Sequence, residues 1–213
     1  MACVKLVVSV VVALGVALLA CGCTTSGNPR ATPDLAAKAL PTSEFGPGAT
    51  VVPPEQVPSI VADITLRPVD GEVTPAHCTP AAVDTDTAAV VFAPGPAEGS
   101  TMTEMVARTE ESLDDLARAA SECATFRGGS TGQLDVATRV VVPPAESGGV
   151  QRMTLIRTLT SPGNDSVTTA EQWIAQRGDV RVLVQLRYLG AVGDDAKAAA
   201  QKLFDAAVRH AFR

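Results

Sequence analysis

From residue 134 to residue 188 the chain alternates apolar and polar side chains through four successive segments, and this restricts its fold more than any other feature. Leu134, Val136, Thr138, Val140 and Val142 alternate with Asp135, Ala137 and Arg139. Side chains of a strand point by turns to its two faces, so the pattern marks a half-buried strand. After a turn over 143–149, Met153, Leu155, Arg157 and Leu159 oppose Arg152, Thr154, Ile156 and Thr158 in a second strand. Residues 161–165 (SPGND) form a loop, and 167–176 make a third strand carrying Trp173. Arg177-Gly178-Asp179 supplies a tight hairpin turn, after which Val180, Val182, Val184, Leu186 and Tyr188 form one face of a fourth strand.

Helices flank this block. After Gly190 and Gly193, Asp194 caps a final helix with Ala196, Ala199, Ala200, Leu203, Ala207 and Ala211 as its apolar stripe. Upstream, Met102, Met105, Val106, Thr109, Leu113, Leu116, Ala120 and Cys123 keep helical spacing throughout. However, Ser112 with Asp115 three residues on resembles a capping box, so the better reading is a strand over 101–108 and a helix from 113 to about 125. The run 88–93 is wholly apolar and ends at Pro94, as a buried strand does. Residues 59–67 fit either a strand (Ile60, Ala62, Ile64, Leu66) or a helix face (Ile60, Val61, Ile64). Between 41 and 58 lie five prolines with Gly46 and Gly48, an extended crossing with room for an edge strand at 49–52. A short helix over 35–40 is capped by Thr32, started by Pro33 and stopped by Pro41. The expectation is an α+β single domain over 34–213, with an antiparallel sheet of about five to six strands and helices packed on one face.

The N-terminus decides where such a domain works. Lys5 precedes an uncharged apolar run over 6–20, too short for the roughly 20 residues of a comfortable membrane span. A basic n-region, an apolar h-region and a small-residue exit are the parts of a secretory signal peptide. The exit, Leu18-Leu19-Ala20-Cys21, resembles the lipobox of bacterial lipoproteins. That resemblance implies a signal peptide over 1–20, a lipid on Cys21, and a flexible tether over 21–33 rich in small polar residues. Cys23 is a second candidate, with Ala20 standing where a lipobox has leucine; a plain cleaved signal or an N-terminal anchor helix is the alternative. The expected location is the cell membrane, lipid-anchored, on its extracytoplasmic face, with the membrane as a partner. The chain carries 17 Lys and Arg against 23 Asp and Glu, a net charge of −6, with no basic cluster. Nucleic acid, whose binding rests on neutralised phosphates, is not an expected partner.

In an oxidising compartment the two cysteines of the folded part, Cys78 and Cys123, read first as a disulfide. A metal pair with His77 is the weaker reading, because no second histidine stands at ligand spacing. No cofactor or metal is expected, and no catalytic set emerges. His210 lies near the end of a helix, where a cation complements the dipole. Asp114-Asp115 and Asp194-Asp195 sit at helix starts, and Gly128-Gly129-Ser130-Thr131-Gly132 follows a helix and enters a strand, the wrong order for a phosphate cradle. Trp173 is read as packed, with lining of a binding surface as its alternative.

The order of pieces resembles the extracellular sensor-type domain of mycobacterial lipoproteins and transmembrane serine/threonine kinases. The residues that carry the likeness are the ALPTSEFGPG opening (39–48), the PAHC segment (75–78) and the helix ending in Cys123. The QRGDVRVLV strand (176–184) and the Ala-rich closing helix complete it. The kinase-borne members have two disulfides, whereas this chain has cysteines for one in the domain, so no second pairing carries over. The resemblance implies an envelope domain with a cleft between sheet and helices that binds an unidentified ligand, and it brings no catalytic residue. The functional expectation is therefore a lipid-anchored, non-enzymatic envelope module recognising a small ligand or partner protein. The alternatives are a lipid or glycolipid carrier, marked by a large apolar void, and a hydrolase, marked by a Ser or Asp within hydrogen-bond reach of His77.

Overall fold

The computed structural model describes residues 35–163 and 166–213; the signal peptide, the tether, Cys21, Cys23, Thr32 and Pro33 lie outside the described residues. The strands are β1 (Thr50–Val51), β2 (Asp84–Pro94), β3 (Thr101–Arg108), β4 (Thr125–Gly128), β5 (Leu134–Ser147), β6 (Val150–Thr160), β7 (Val167–Arg177) and β8 (Val180–Leu189). They form one antiparallel sheet in the order β1-β2-β3-β8-β7-β6-β5-β4. The last strand thus returns to the middle of the sheet and pairs with β3 over its full length, from Thr101↔Arg187 to Arg108↔Val180. Three α-helices are described: α1 (Val57–Thr65), α2 (Leu113–Glu122) and α3 (Asp194–Ala211).

Two parts of the expected architecture are overturned. The sheet has eight strands, not five or six, and the structure is mostly sheet. The strands that escape the pattern are β1, two residues long, and β4, four residues ending in Gly128; neither is long enough to show a period of two. The helix expected to reach about 125 stops at Glu122 with Cys123 as its cap, and Thr125 begins β4. The helices, moreover, occupy both faces. Val182, Val184, Leu186 and Tyr188 pack with Met102, Val106, Trp173 and the Leu203, Phe204 and Ala207 stripe of α3. On the opposite face Met105, Leu183, Ile174 and Met153 lie in one cross-strand row. They pack with Val57, Val61 and Ile64 of α1 and Leu113 of α2. Both faces are therefore buried, which a half-polar alternation does not announce.

Local chemistry explains the helix ends. The ambiguous 59–67 stretch resolves in favour of helix up to Thr65, and α1 is closed by Leu66 in the left-handed region at φ 64°. Leu66 is itself buried at 2%, tucked against Val136 and Leu159, and this packing offsets the backbone cost of that conformation in a non-glycine residue. At α2 the Ser112 hydroxyl accepts from the Asp115 backbone N–H at 3.1 Å and donates to its carboxylate at 2.7 Å. Ser112→Ala is expected to cost about 1 kcal/mol in thermal or denaturant unfolding, the usual effect of losing an N-cap. At α3 the cap residue is Gly193, and Asp194 is the first helical residue instead of the cap; with Asp195 it places negative charge on the positive end of the helix.

Candidate functional site

On the sheet face under α1 and α2, polar residues flank the apolar row of Met105, Leu183, Ile174 and Met153 on both sides. Alternate positions of the central strands bring Arg157 of β6, Gln172 and Gln176 of β7, and Arg181, Gln185 and Arg187 of β8 onto this face, beside Thr138 of β5. Because α1, α2 and the 79–83 segment cover them, Thr138, Arg157, Gln172, Gln176, Arg181 and Gln185 are all buried. Buried polar groups are tolerated only when partnered, so each partner identifies a role.

Arg181 is fully engaged. Its guanidinium donates to the Glu111 carboxylate at 3.1 Å, to the Glu111 carbonyl at 2.8 Å and to Gln176 Oε1 at 3.0 Å. Gln176 in turn donates to the Glu111 carbonyl at 3.0 Å, so Glu111 is held in the bend before α2. Arg187 pairs with Asp63 on α1. Gln172 donates to the Ile64 carbonyl at 2.9 Å and to Gln185 at 2.7 Å.

Arg157 differs. One terminal nitrogen donates to the Ile64 and Thr65 carbonyls at 3.0 and 3.3 Å, which caps the negative end of α1. No carboxylate lies in ion-pair distance of it among the described residues, and its Nε has no hydrogen-bond partner. Burial lowers its pKa to about 10, with Glu111 opposing and Arg181 adding to the shift, so it stays protonated at neutral pH. Burial likewise lowers the pKa of Arg181, and Glu111 opposes it. Two further atoms of this face are buried without partners: Thr138 Oγ1, directly across the β5–β6 ladder from Arg157, and Gln172 Oε1.

Residues that carry these orphans line a cleft. A cavity of about 80 Å³ lies between the sheet, α2 and the segment that follows His77; Arg157 and Thr138 form its polar floor. Leu116, Ala120, Phe126 and the Cys78–Cys123 disulfide line its apolar side. A smaller space of about 30 Å³ continues inward past Arg157 to Gln172 and Arg181. Larger hollows, such as one of about 510 Å³ between α3 and the 94–96 turn, are open surface grooves.

The disulfide expected from the sequence is formed, with Cα atoms 5.6 Å apart, and it belongs to the cleft wall. His77, Cys78 and Cys123 stand close enough to share a metal, but both sulfurs are spent in the bond, and a disulfide sulfur is not the thiolate that ligates metals. His77 is exposed at the cleft rim and hydrogen-bonds no Ser or Asp side chain among the described residues. The other sequence candidates stand elsewhere. Trp173 is packed against α3 on the opposite face. His210 meets the Ala37 carbonyl at 3.1 Å, and in the 177–179 turn Asp179 is paired with Arg108.

No protein-family model matches the chain, and no curated protein matches it in sequence. Solved structures do. The X-ray structure of a putative uncharacterized protein from Mycobacterium smegmatis, an Rv0999 ortholog, is similar at a TM-score of 0.46 and 16% identity. That match covers 85% of this chain and 98% of the other. The extracellular domain of PknH from Mycobacterium tuberculosis is similar at 0.41 and 12% identity, covering 81% of this chain and 94% of that one.

Proposed function

We propose that the protein is a cell-envelope binding module, held to the membrane by a lipid on Cys21, that captures a small ligand in the Arg157 cleft without transforming it. The observation that carries this reading is the set of unpartnered buried atoms, Arg157 Nε, Thr138 Oγ1 and Gln172 Oε1, on residues that line the cleft and the smaller space behind it. Each costs on the order of 1–3 kcal/mol if left unmade, and a stable fold retains such groups where a bound molecule completes them. The apolar run, the small-residue exit and Cys21 support export and anchoring. The cleft holds no nucleophile beside a base, which favours binding over catalysis. A carrier of lipid or glycolipid is the second reading. The enclosed space of about 80 Å³ takes a handful of waters or one small group and disfavours it.

Native mass spectrometry of the protein taken from its own envelope tests the function. A co-purifying small molecule, lost when the cleft is altered, is expected; a bare acylated chain, or one carrying a multi-acyl lipid, defeats the binding-module reading. For the anchor, Cys21→Ala is expected to abolish acylation and release the domain from membranes, because an acidic domain has little affinity of its own for anionic lipid. Unchanged palmitate labelling in the variant, or globomycin-insensitive processing of the wild type, points instead to Cys23 or ordinary secretion.

A further inference from the structure

We infer that the cleft is a site for a small organic monocarboxylate, with its carboxylate on Arg157 and Thr138 and a short apolar body against Phe126, Leu116 and the Cys78–Cys123 disulfide. The inference rests on the cleft being a ligand site and adds the chemistry of the ligand. The first ground is charge. Four charged residues line the two connected spaces: Glu111, Glu122, Arg157 and Arg181. Glu111 and Arg181 neutralise one another at 3.1 Å, and Glu122, exposed at the rim, has Arg118 at 3.9 Å. Arg157 is left as a buried cation with no ion-paired carboxylate among the described residues; the carbonyls that end α1 accept from it, and Glu111 acts on it at longer range while committed to Arg181. One unpaired positive charge asks for one negative charge.

The second ground is the shape of the donor set. Arg157 and Thr138 are direct cross-strand partners on the same face, so their side chains stand side by side. Both residues line the same cavity, and each carries an unpartnered donor, the Nε–H of the first and the hydroxyl of the second, buried just behind its surface. A carboxylate is planar, has two acceptor oxygens and pairs edge-on with a guanidinium. A phosphate dianion fits less well. It brings a second negative charge into a cleft already lined by two carboxylates, with no second free cation to meet it. The third ground is the opposite wall. Leu116, Ala120, Phe126 and a disulfide offer no hydrogen bonds, and they match an aliphatic or aromatic stub instead of a sugar or nucleotide. The volume limits that stub to a phenyl ring or a short alkyl chain.

The test uses the mature acylated protein in detergent micelles and calorimetric titration with benzoate and butyrate. Benzamide serves as the uncharged isostere, and inorganic phosphate as the small anion without a body. Benzoate is expected to bind at least about tenfold more tightly than benzamide or phosphate, the worth of a charge-assisted pair over a neutral one. Thr138→Val, which replaces an unpartnered buried hydroxyl by a methyl, is expected to weaken benzoate several-fold while leaving the melting temperature unchanged or higher. Arg157→Lys keeps the charge but loses the planar fork, and it is expected to weaken benzoate further. Because Arg157 also caps α1, the Thr138 variant is the decisive one. Equal affinity for benzamide, tighter binding of phosphate, or an unaltered affinity in Thr138→Val overturns the carboxylate assignment while a ligand found by native mass spectrometry keeps the cleft. If none of the four probes binds, the carboxylate assignment falls too, and ordered water completes Arg157 and Thr138.

Discussion

Replacing Cys78 and Cys123 together by alanine is expected to lower the unfolding free energy by about 4 kcal/mol, the chain-entropy value for a loop of this size. The bond joins residues 45 apart, so it closes a loop holding β2, β3 and α2. Its native-state work is nevertheless local. Residues 66–80 contain no strand and only one short 3-10 turn (Ala76–Cys78). Beyond Leu66, residues 67–80 are otherwise held by the buried side chain of Val73, the bridge between Thr74 and Arg127, the Val69 N–H on the Ser130 carbonyl and the Arg67 hydrogen bond to the Pro80 carbonyl. Without the disulfide this segment is expected to open first, exposing the cleft wall and the outer edge of β4. The β5–β8 ladders and the α3 face touch none of these contacts and are expected to keep their protection. Hydrogen exchange with denaturant unfolding measures both effects. Loss of protection spread evenly through β6–β8, or a cost below about 1 kcal/mol, overturns this account.

The same comparison shows what the sequence displays and what it conceals. Strands β5 to β8 were legible because their side chains alternate and their turns are rich in Gly, Pro and Asp; β3 and the start of α2 were legible because Ser112 and Asp115 mark the break between them. Strand β4 was not. Thr125, Phe126, Arg127 and Gly128 are too few to show an alternation although Thr and Phe favour strands, and they extend because the open edge of β5 offers a ladder and Phe126 packs beside Leu66 and Val136. The candidate site was visible but inverted in meaning. Arg157 stood in the register of Met153, Leu155 and Leu159, and Gln172, Gln176, Arg181 and Gln185 occupy alternate positions of β7 and β8. Alternating polar residues signal a face turned to water when one sheet face is free. Here α3 takes one face, and α1 and α2, each with an apolar side of its own to bury, have only the other left. Which face a helix covers is a tertiary matter that no local period encodes. The available signal was chemical: three arginines and three glutamines on one side of adjacent strands exceed what a solvated face requires. Cys78 and Cys123 were legible as a pair, but their place in the cleft wall depends on how α2 meets the sheet.

The second large effect belongs to Glu104, on the α3 side of β3, a fully buried carboxyl that accepts the Leu40 backbone N–H at 3.0 Å. Burial raises its pKa to about 7 from 4.5, and the Leu40 hydrogen bond only partly offsets the shift. Between those two values the folded protein holds a proton that the unfolded chain has released. Stability therefore falls as pH rises from 4.5 to 7, and above pH 7 the accumulated cost levels off at about 3 kcal/mol. Asp84, Asp115 and Asp179 act in the opposite sense. Hydrogen bonds to Thr87, to Ser112 and to Arg108 respectively lead in holding their pKa values below the usual carboxylate value, so their contributions are lost in acid. All three lie at the surface, where solvent screens such effects, so the Glu104 slope dominates from mild acid to neutrality. Glu104→Gln keeps an acceptor for Leu40 and removes the titration. The variant is expected to show a flat unfolding free energy between pH 5 and 8, where the wild type declines by about 3 kcal/mol. Its gain at pH 8 is expected to be smaller than that, because the new amide N–H groups need acceptors in a buried site. Because opening of the 35–40 segment, which Leu40 holds to Glu104, would let water reach the ionised carboxylate, hydrogen exchange of that segment in the wild type is expected to quicken as pH is raised through 7, after correction for intrinsic rates. A wild-type stability that rises from pH 5 to 7, or a slope that persists in Glu104→Gln, assigns the buried charge elsewhere.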